Sequence, residues 1–251
     1  MGDRRSKILE YVIDNERVDV NELAGMFAVS QVTVRKDLDH LEKKGLIRRQ
    51  HGYALSIDPD NLRSRLAFHH DLKRRIAAAA ADLVPNGSTV MIESGSCCAL
   101  LADEIARTRR GVTIVTNSAF IADYVRAAQG ASVVLLGGDY QPESQVTVGP
   151  LVEQCLLNFH VEQLFIGIDG YTVESGFTAR NHLRAAVVKA MAKQADDVIV
   201  LTESLKFPRH GAVPLLPAAA VSRVVTDTNL PGPLQDHLTA AGVTVAKVPA
   251  S

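Results

Sequence analysis

"VSQVTVRKDLDHLEKKGLIRRQHGYA", residues 29–54, is the stretch on which the reading of this chain turns. Val34, Leu38 and Leu41 follow the i, i+4, i+7 spacing of one buried helical stripe. Ser30 stands just ahead of them, where a hydroxyl satisfies a free amide of the first helical turn, and Gly45 stands where a helix closes. The spacing therefore predicts a helix over 31–44 whose outward face carries Gln31, Thr33, Arg35, Lys36 and His40. Beyond Gly45, "LIRRQHGYAL" sets apolar residues around a basic run with His51-Gly52 as a turn, which predicts a small β-hairpin. Eight Lys, Arg and His side chains lie between Arg35 and His51 of a chain whose formal charge is −1. The excess is local, and a local patch is the informative quantity.

Upstream, Ile8, Leu9, Val12 and Ile13 predict a helix from Ser6 to about Glu16, and Leu23, Ala24 and Phe27 predict a shorter one over 21–27, with "AVS" as the turn into the third. Two helices, a tight turn, a third helix with a basic outer face and a basic hairpin make a winged helix-turn-helix. An α-helix fits the major groove of double-stranded DNA, with its N-terminal side chains at base edges. Gln31, Thr33 and Arg35, following the cap Ser30, are the candidates for base readout. Lys36, Arg48, Arg49 and His51 are the candidates for phosphate, which positions without reading sequence. The competing reading, that these charges only keep a surface helix soluble, is weaker because charge, helical spacing and turn all agree.

The 251 residues, 47% of them hydrophobic, are enough for one large domain or two. Cys97 and Cys98 are adjacent among three cysteines, so there is no C-x-x-C pair for a metal or thiol exchange, and a reducing cytoplasm fits. "MGDRRSKILEYVI" mixes charges into the first helix and offers no signal-peptide run. No stretch reaches the roughly 18 apolar residues of a membrane span, and "IAAAAADLV" (76–84) reads as a buried helix. A cytoplasmic protein with no cofactor, no metal and no membrane partner is expected.

Residues 56–70, with Pro59, acidic residues and no clear period, read as a linker between a DNA-binding domain (1–55) and a second domain (71–251). There, β-branched runs at 89–94, 112–117, 132–138, 163–170, 197–204, 223–228 and 243–248 mostly have helical patterns between them. This predicts an α/β fold with a mostly parallel sheet buried on both faces. Such sheets bind ligands beyond the C-terminal ends of their strands. Four ends carry small or polar residues: Glu93-Ser94-Gly95-Ser96, Thr116-Asn117-Ser118, Asp169-Gly170 and Thr202 to Lys206. A Ser-Gly-Ser loop opening a helix suits an anion, although tight strand-to-helix turns favour the same residues. Asp169 also suits a plain turn, and Lys206 a solvated charge.

Residues 22–54 closely resemble the DNA-binding domain of the DeoR family of bacterial regulators, whose pattern runs V-S-x-x-T-[IV]-R-[RK]-D-L-x-x-L-E-x-x-G-x-[IL]-x-R-x-H-G-G. Tyr53 departs from it, standing in place of the second Gly. "IESGSCCALLADEIA", "VTNSAFIADYV", "LLGG", "FIGIDGYTVESGFTARN" and "SLKF" resemble the sensor domain of the same family, so the likeness covers almost the whole chain. The resemblance implies a fold similar to sugar-phosphate isomerases, a phosphorylated sugar-like effector and a homo-oligomer. Carried over by position, Ser94, Gly95 and Ser96 form the phosphate loop, and Asn117, Asp169, Thr178, Asn181 and Lys206 line the rest. Cys97 and Cys98 stand where the family continues with Thr, and Arg184 where it usually has an acidic residue. The "HGYA" wing and Arg184 are similar to the YciT-like branch.

The function expected is a repressor released from operator DNA by a sugar-phosphate-like effector. Two other functions compete with it. An enzyme acting on sugar phosphates needs a carboxylate base and a group that polarises a carbonyl. Asp169 and Lys206 are the candidates, but Gly170, Tyr171, Thr172 and Val173 follow Asp169 without a second carboxylate. A DNA-binding protein whose α/β domain only assembles oligomers would show no stabilisation by a ligand.

Overall fold

The structure, a computed structural model, describes residues 3–57 and 61–250. It divides into two compact units, residues 1–70 and 71–251. In the first, chain order is α1 (Asp3–Asn15), β1 (Arg17–Asp19), α2 (Val20–Met26), α3 (Gln31–Lys43), β2 (Ile47–Gln50), β3 (Tyr53–Ser56) and α4 (Leu62–Ala67). The apolar stripes meet in one core, where Ile8, Leu9, Val12, Leu23, Val34, Leu38 and Leu41 are fully buried. Ser30 caps α3 as its position implies, its hydroxyl accepting from the Thr33 amide at 3.2 Å. Gly45 takes the left-handed conformation that ends the helix (φ 65°).

The hairpin pairs Arg48 with Leu55 and Gln50 with Tyr53. His51 (φ 48°) and Gly52 (φ 86°) form its two-residue turn, and two positive φ values give the turn twist that matches paired strands. Strand β1, too short to show a period, adds to the hairpin against β3, pairing Val18 with Ala54.

The stretch expected to be a featureless linker contains a helix. Asn61 caps α4 by accepting from the Ser64 amide, and the buried Ser64 hydroxyl donates to the Leu46 carbonyl at 3.1 Å. Six residues are too few for the apolar spacing to register. Pro59, which argued for the linker, lies outside the described residues.

The second unit begins with α5 (His70–Ala81), β4 (Thr89–Ile92), α6 (Ser96–Thr108), β5 (Val112–Thr116), α7 (Ala119–Tyr124) and β6 (Ala131–Leu135). It continues through β7 (Asp139–Gln141), β8 (Val146–Val148), α8 (Pro150–Leu156), β9 (Val161–Ile166), β10 (Gly170–Thr172), β11 (Gly176–Ala179) and α9 (His182–Ala192). It ends with β12 (Ala195–Leu201), β13 (Val213–Leu216), β14 (Arg223–Asp227), α10 (Gly232–Ala240) and β15 (Thr244–Val248). The seven β-branched runs form one sheet in the order β15-β14-β12-β9-β4-β5-β6, and every neighbouring pair is parallel. Val90, Met91, Ile92, Leu164, Phe165 and Ile166, in its two central strands, are at most 1% exposed.

The chain runs outward from β4 through β5 and β6 on one side, and from β9 through β12, β14 and β15 on the other. The order therefore reverses between β4 and β9, the kind of position beyond whose C-terminal strand ends open α/β sheets bind ligands. A small antiparallel sheet, β10-β11-β13, follows β9, and β7 and β8 form a separate hairpin. None of these five strands was expected. Each has three or four residues, and Pro214 interrupts β13, which tolerates it as an edge strand paired only with β11.

Candidate nucleic-acid interface and sensor crevice

Packing determines which face α3 presents. Val34, Leu38 and Leu41 face the core, as does Asp37, which is 2% exposed. Its carboxylate accepts from Arg4 and Arg5 of α1, each at 2.7 Å, so an ion pair fastens the third helix to the first. Burial pushes the Asp37 carboxyl up, and the hydrogen bonds from Arg5 and Arg4 more than offset it, leaving its pKa below the ordinary value.

The opposite face holds Gln31, Arg35 and Lys36, all exposed. Arg35 and Lys36 make no hydrogen bond or ion pair among the described residues, so their charges are uncommitted. The Thr33 hydroxyl shares a 3.0 Å hydrogen bond with that of Ser30, while the Gln31 amide donates to Asn21 of α2. On the hairpin, Arg48 is exposed and His51 sits at the turn. Arg49 differs from Arg48: its guanidinium pairs with Asp39 of α3 and its amide donates to Glu42 at 2.8 Å. It ties hairpin to helix.

Tyr53, the departure from the family pattern, packs under the Arg17 guanidinium, 3.8 Å from its ring centroid. This cation–π contact spans β1 and β3. Arg17 could be placed beside Tyr53 only once β1 was known to pair with β3.

In the second unit, Gly95 ends the loop after β4 and is the N-cap residue of α6. A β-carbon on Gly95 would stand 3.3 Å from the Gly167 Cα and 3.2 Å from the Cys98 Sγ, so the loops after β4 and β9 touch through two glycines. Glu93 spans the same junction: one carboxylate oxygen accepts from the Gly167 amide at 3.2 Å, the other from the Ser94 hydroxyl at 2.6 Å. Lys206, in the short turn after β12, donates to the Ile168 carbonyl at 2.8 Å and keeps two further ammonium hydrogens.

The Cys98 thiol reports on this convergence. Burial pushes its pKa well above the ordinary value, Glu93 and Cys97 add to the rise, and the Gly95 backbone and Lys206 act against it. Cys98 is therefore a protonated thiol, and none of the three cysteines forms a disulfide among the described residues. Asn117 follows β5 directly, its amide donating to the Thr147 carbonyl, while its buried Oδ1 has no partner among the described residues.

The remaining candidates hold backbone. Asp169 accepts from the Arg180 amide at 3.0 Å. Asn181 caps α9 through the Arg184 amide. Thr178, fully buried, accepts from the Gly211 amide at 2.9 Å. Gly95, between Ser94 and Ser96, thus meets Gly167, Lys206 bonds to the neighbouring Ile168, and Asp169, Thr178 and Asn181 hold backbone amides of nearby segments.

A buried ion pair at the same end of the sheet is not among the features the sequence pattern singles out. Lys73 of α5 and Glu203, both at most 2% exposed, lie 3.4 Å apart. The signal was available, since Lys73 shares a helical face with Ile76, Ala77 and Ala80, where a cation needs a partner. Asp227 accepts from the Ser204 amide and hydroxyl, both at 2.7 Å, and so fixes the turn that carries Lys206.

Comparison with known proteins agrees with both halves. The DeoR-like helix-turn-helix domain matches residues 4–60, and the DeoR C terminal sensor domain matches residues 68–228. The chain belongs to the DeoR family. Among DeoR-type relatives, a protein of Escherichia coli O157:H7 whose name assigns it to repression of the aga operon is 31% identical, over 98% of this chain and 94% of its own. The transcriptional repressor AccR of Agrobacterium fabrum is 29% identical over 90% and 89%. The L-fucose operon activator of Haemophilus influenzae is 28% identical over 94% and 96%. These relatives are named as regulators, not enzymes. Ribose 5-phosphate isomerase A of Methanocaldococcus jannaschii matches 55% of each chain with a TM-score of 0.41 and 20% identity, a distant likeness that carries no functional argument. The chain is a DeoR-type transcriptional regulator with a DNA-binding helix-turn-helix, and no described helix is long and apolar enough to cross a membrane.

Proposed function

We propose that this regulator represses transcription in the cytoplasm and leaves its operator when a phosphorylated sugar or related metabolite enters the crevice between the β4 and β9 loops. The observation that carries the reading is the meeting of Gly95 and Gly167, with Lys206 bonded to the carbonyl of the next residue, Ile168. Gly95 opens α6 without a side chain, and Lys206, an ammonium with unspent hydrogens, donates to the Ile168 carbonyl next to Gly167, so a helix N-terminus and a cation serve an anion together. The unpartnered Oδ1 of Asn117 supports a ligand with hydroxyl donors.

On DNA, Gln31 and Arg35 read bases, while Lys36, Arg48 and His51 meet phosphates. One recognition helix spans few base pairs, so the working species is a homo-oligomer that places two helices on half-sites about one helical turn, or a multiple, apart. Thermal melting of the full chain against a panel of phosphorylated sugars tests the sensor. A true effector at a hundred times its Kd stabilises the native state by about 2.7 kcal/mol. A panel in which no phosphorylated sugar shifts the melt, or in which unphosphorylated sugars shift it equally, removes the proposal.

A further inference from the structure

We propose that Asn21 of α2 orients Gln31 as an adenine reader, making a residue outside the recognition helix a determinant of operator specificity. The proposal rests on α3 entering the major groove and goes beyond it by assigning a base and a positioning residue.

Gln31 opens α3 and is exposed, and its Nε2 donates to the Asn21 Oδ1 at 2.5 Å. An exposed glutamine ordinarily samples many rotamers and loses them on binding. Here the amide is held against a residue whose own backbone is anchored. The Asn21 amide donates to the Asp19 side chain at 2.6 Å, and the preceding Val20 amide donates to the Gly52 carbonyl of the hairpin turn at 3.0 Å. The starts of α2 and α3 are thereby linked to each other, and the start of α2 to the hairpin turn.

The bond also fixes what Gln31 has left to offer. A glutamine amide carries two N–H donors and a carbonyl acceptor. One donor is spent on Asn21, leaving one donor and one acceptor on the same planar group. Adenine presents that complement in the major groove, with N7 accepting and the N6 amino group donating. Guanine presents two acceptors, N7 and O6, and asks for two donors that Gln31 no longer has. The Asn21 bond therefore selects between the two purines.

The test uses the full chain in selection from a library of randomised duplexes, with base preferences read position by position and folding checked by circular dichroism. The wild type should prefer adenine at one position of each half-site, and Gln31→Ala should abolish that preference, a change of about 5- to 150-fold. Asn21→Ala should weaken the preference at the same position by up to about tenfold while leaving other positions alone. Adding it to Gln31→Ala should change nothing further there. Asn21→Asp keeps the acceptor, so it should retain the adenine preference while its negative charge lowers affinity for all sequences alike.

Asn21→Ala acting equally on every sequence, or Asn21→Asp losing the preference as fully as Asn21→Ala, would overturn the positioning role while α3 remains the reader. Gln31→Ala leaving every base preference intact would overturn the proposal together with the placement of α3 on which it rests.

Discussion

Arg48 and Arg49 are neighbours of the same charge, yet they should behave differently on DNA. Arg48 is exposed with no partner among the described residues, whereas Arg49 is paired with Asp39. Each phosphate neutralised by an uncommitted cation releases counterions and adds about 0.9 to the slope of log affinity against log salt. Arg48→Ala should therefore flatten the slope by about 0.9, so the affinity ratio between 50 and 200 mM salt shrinks by about 3.5-fold. A phosphate approaching Arg49 meets the Asp39 carboxylate as well, so Arg49→Ala should leave the slope nearly unchanged. The informative perturbation is Asp39→Asn, which frees Arg49 and should steepen the slope by up to about 0.9. Fluorescence anisotropy with specific and random duplexes across a salt series measures all three. Equal flattening by Arg48→Ala and Arg49→Ala, with no steepening by Asp39→Asn, would refute the division between a free and a committed arginine.

Two predictions concern stability. Asp37 has a depressed pKa when folded, so its contribution is fully present above the ordinary carboxylate value of about 3.9 and is lost as pH falls through the lower folded value. Asp37→Asn should destabilise the DNA-binding unit by about 1–3 kcal/mol near neutral pH, discounted for the partial exposure of Arg4 and Arg5, and the deficit should shrink in acid. Urea titrations at several pH values check this, and a deficit that does not change with pH would contradict it. For the buried pair, Lys73→Ala should cost the sensor unit about 3–5 kcal/mol by removing the cation beside the buried Glu203 carboxylate, while Lys73→Met combined with Glu203→Leu should cost far less. Melting curves that rank the double variant below the single one would show that the charges themselves stabilise the fold.

Long-range organisation was legible because each large element repeats a signal. All seven sheet strands are β-branched runs, and α3 carries both its stripe and its cap. Short elements were not, since β1, β7, β8, β10, β11, β13 and α4 hold three to six residues each and depend on neighbours distant in sequence. The crevice was half legible. Strand ends pointed to Ser94, Gly95, Ser96 and Lys206 as candidates, but partners shape roles: that Thr178 and Asn181 hold the Gly211 and Arg184 amides could not be seen in the sequence. Arg49 could not be told from Arg48, because the pairing of Arg49 with Asp39 depends on how the hairpin folds against α3.

The proposed function makes operator binding depend on whether an effector occupies the site at the β4 and β9 loops. Operator affinity should be measured by fluorescence anisotropy, with and without the phosphorylated sugar that shifts the melt, for the wild type, Lys206→Ala and Gly95→Val. Gly95→Val presses a side chain on the Gly167 backbone and the Cys98 thiol, and Lys206→Ala removes the ammonium that donates to Ile168. The sugar should weaken wild-type binding about a hundredfold, which requires it to favour the non-binding state by about 2.7 kcal/mol. Both variants should bind operator normally without the sugar and resist release with it. Release of both variants at wild-type sugar concentrations would contradict the claim and move the sensor site elsewhere.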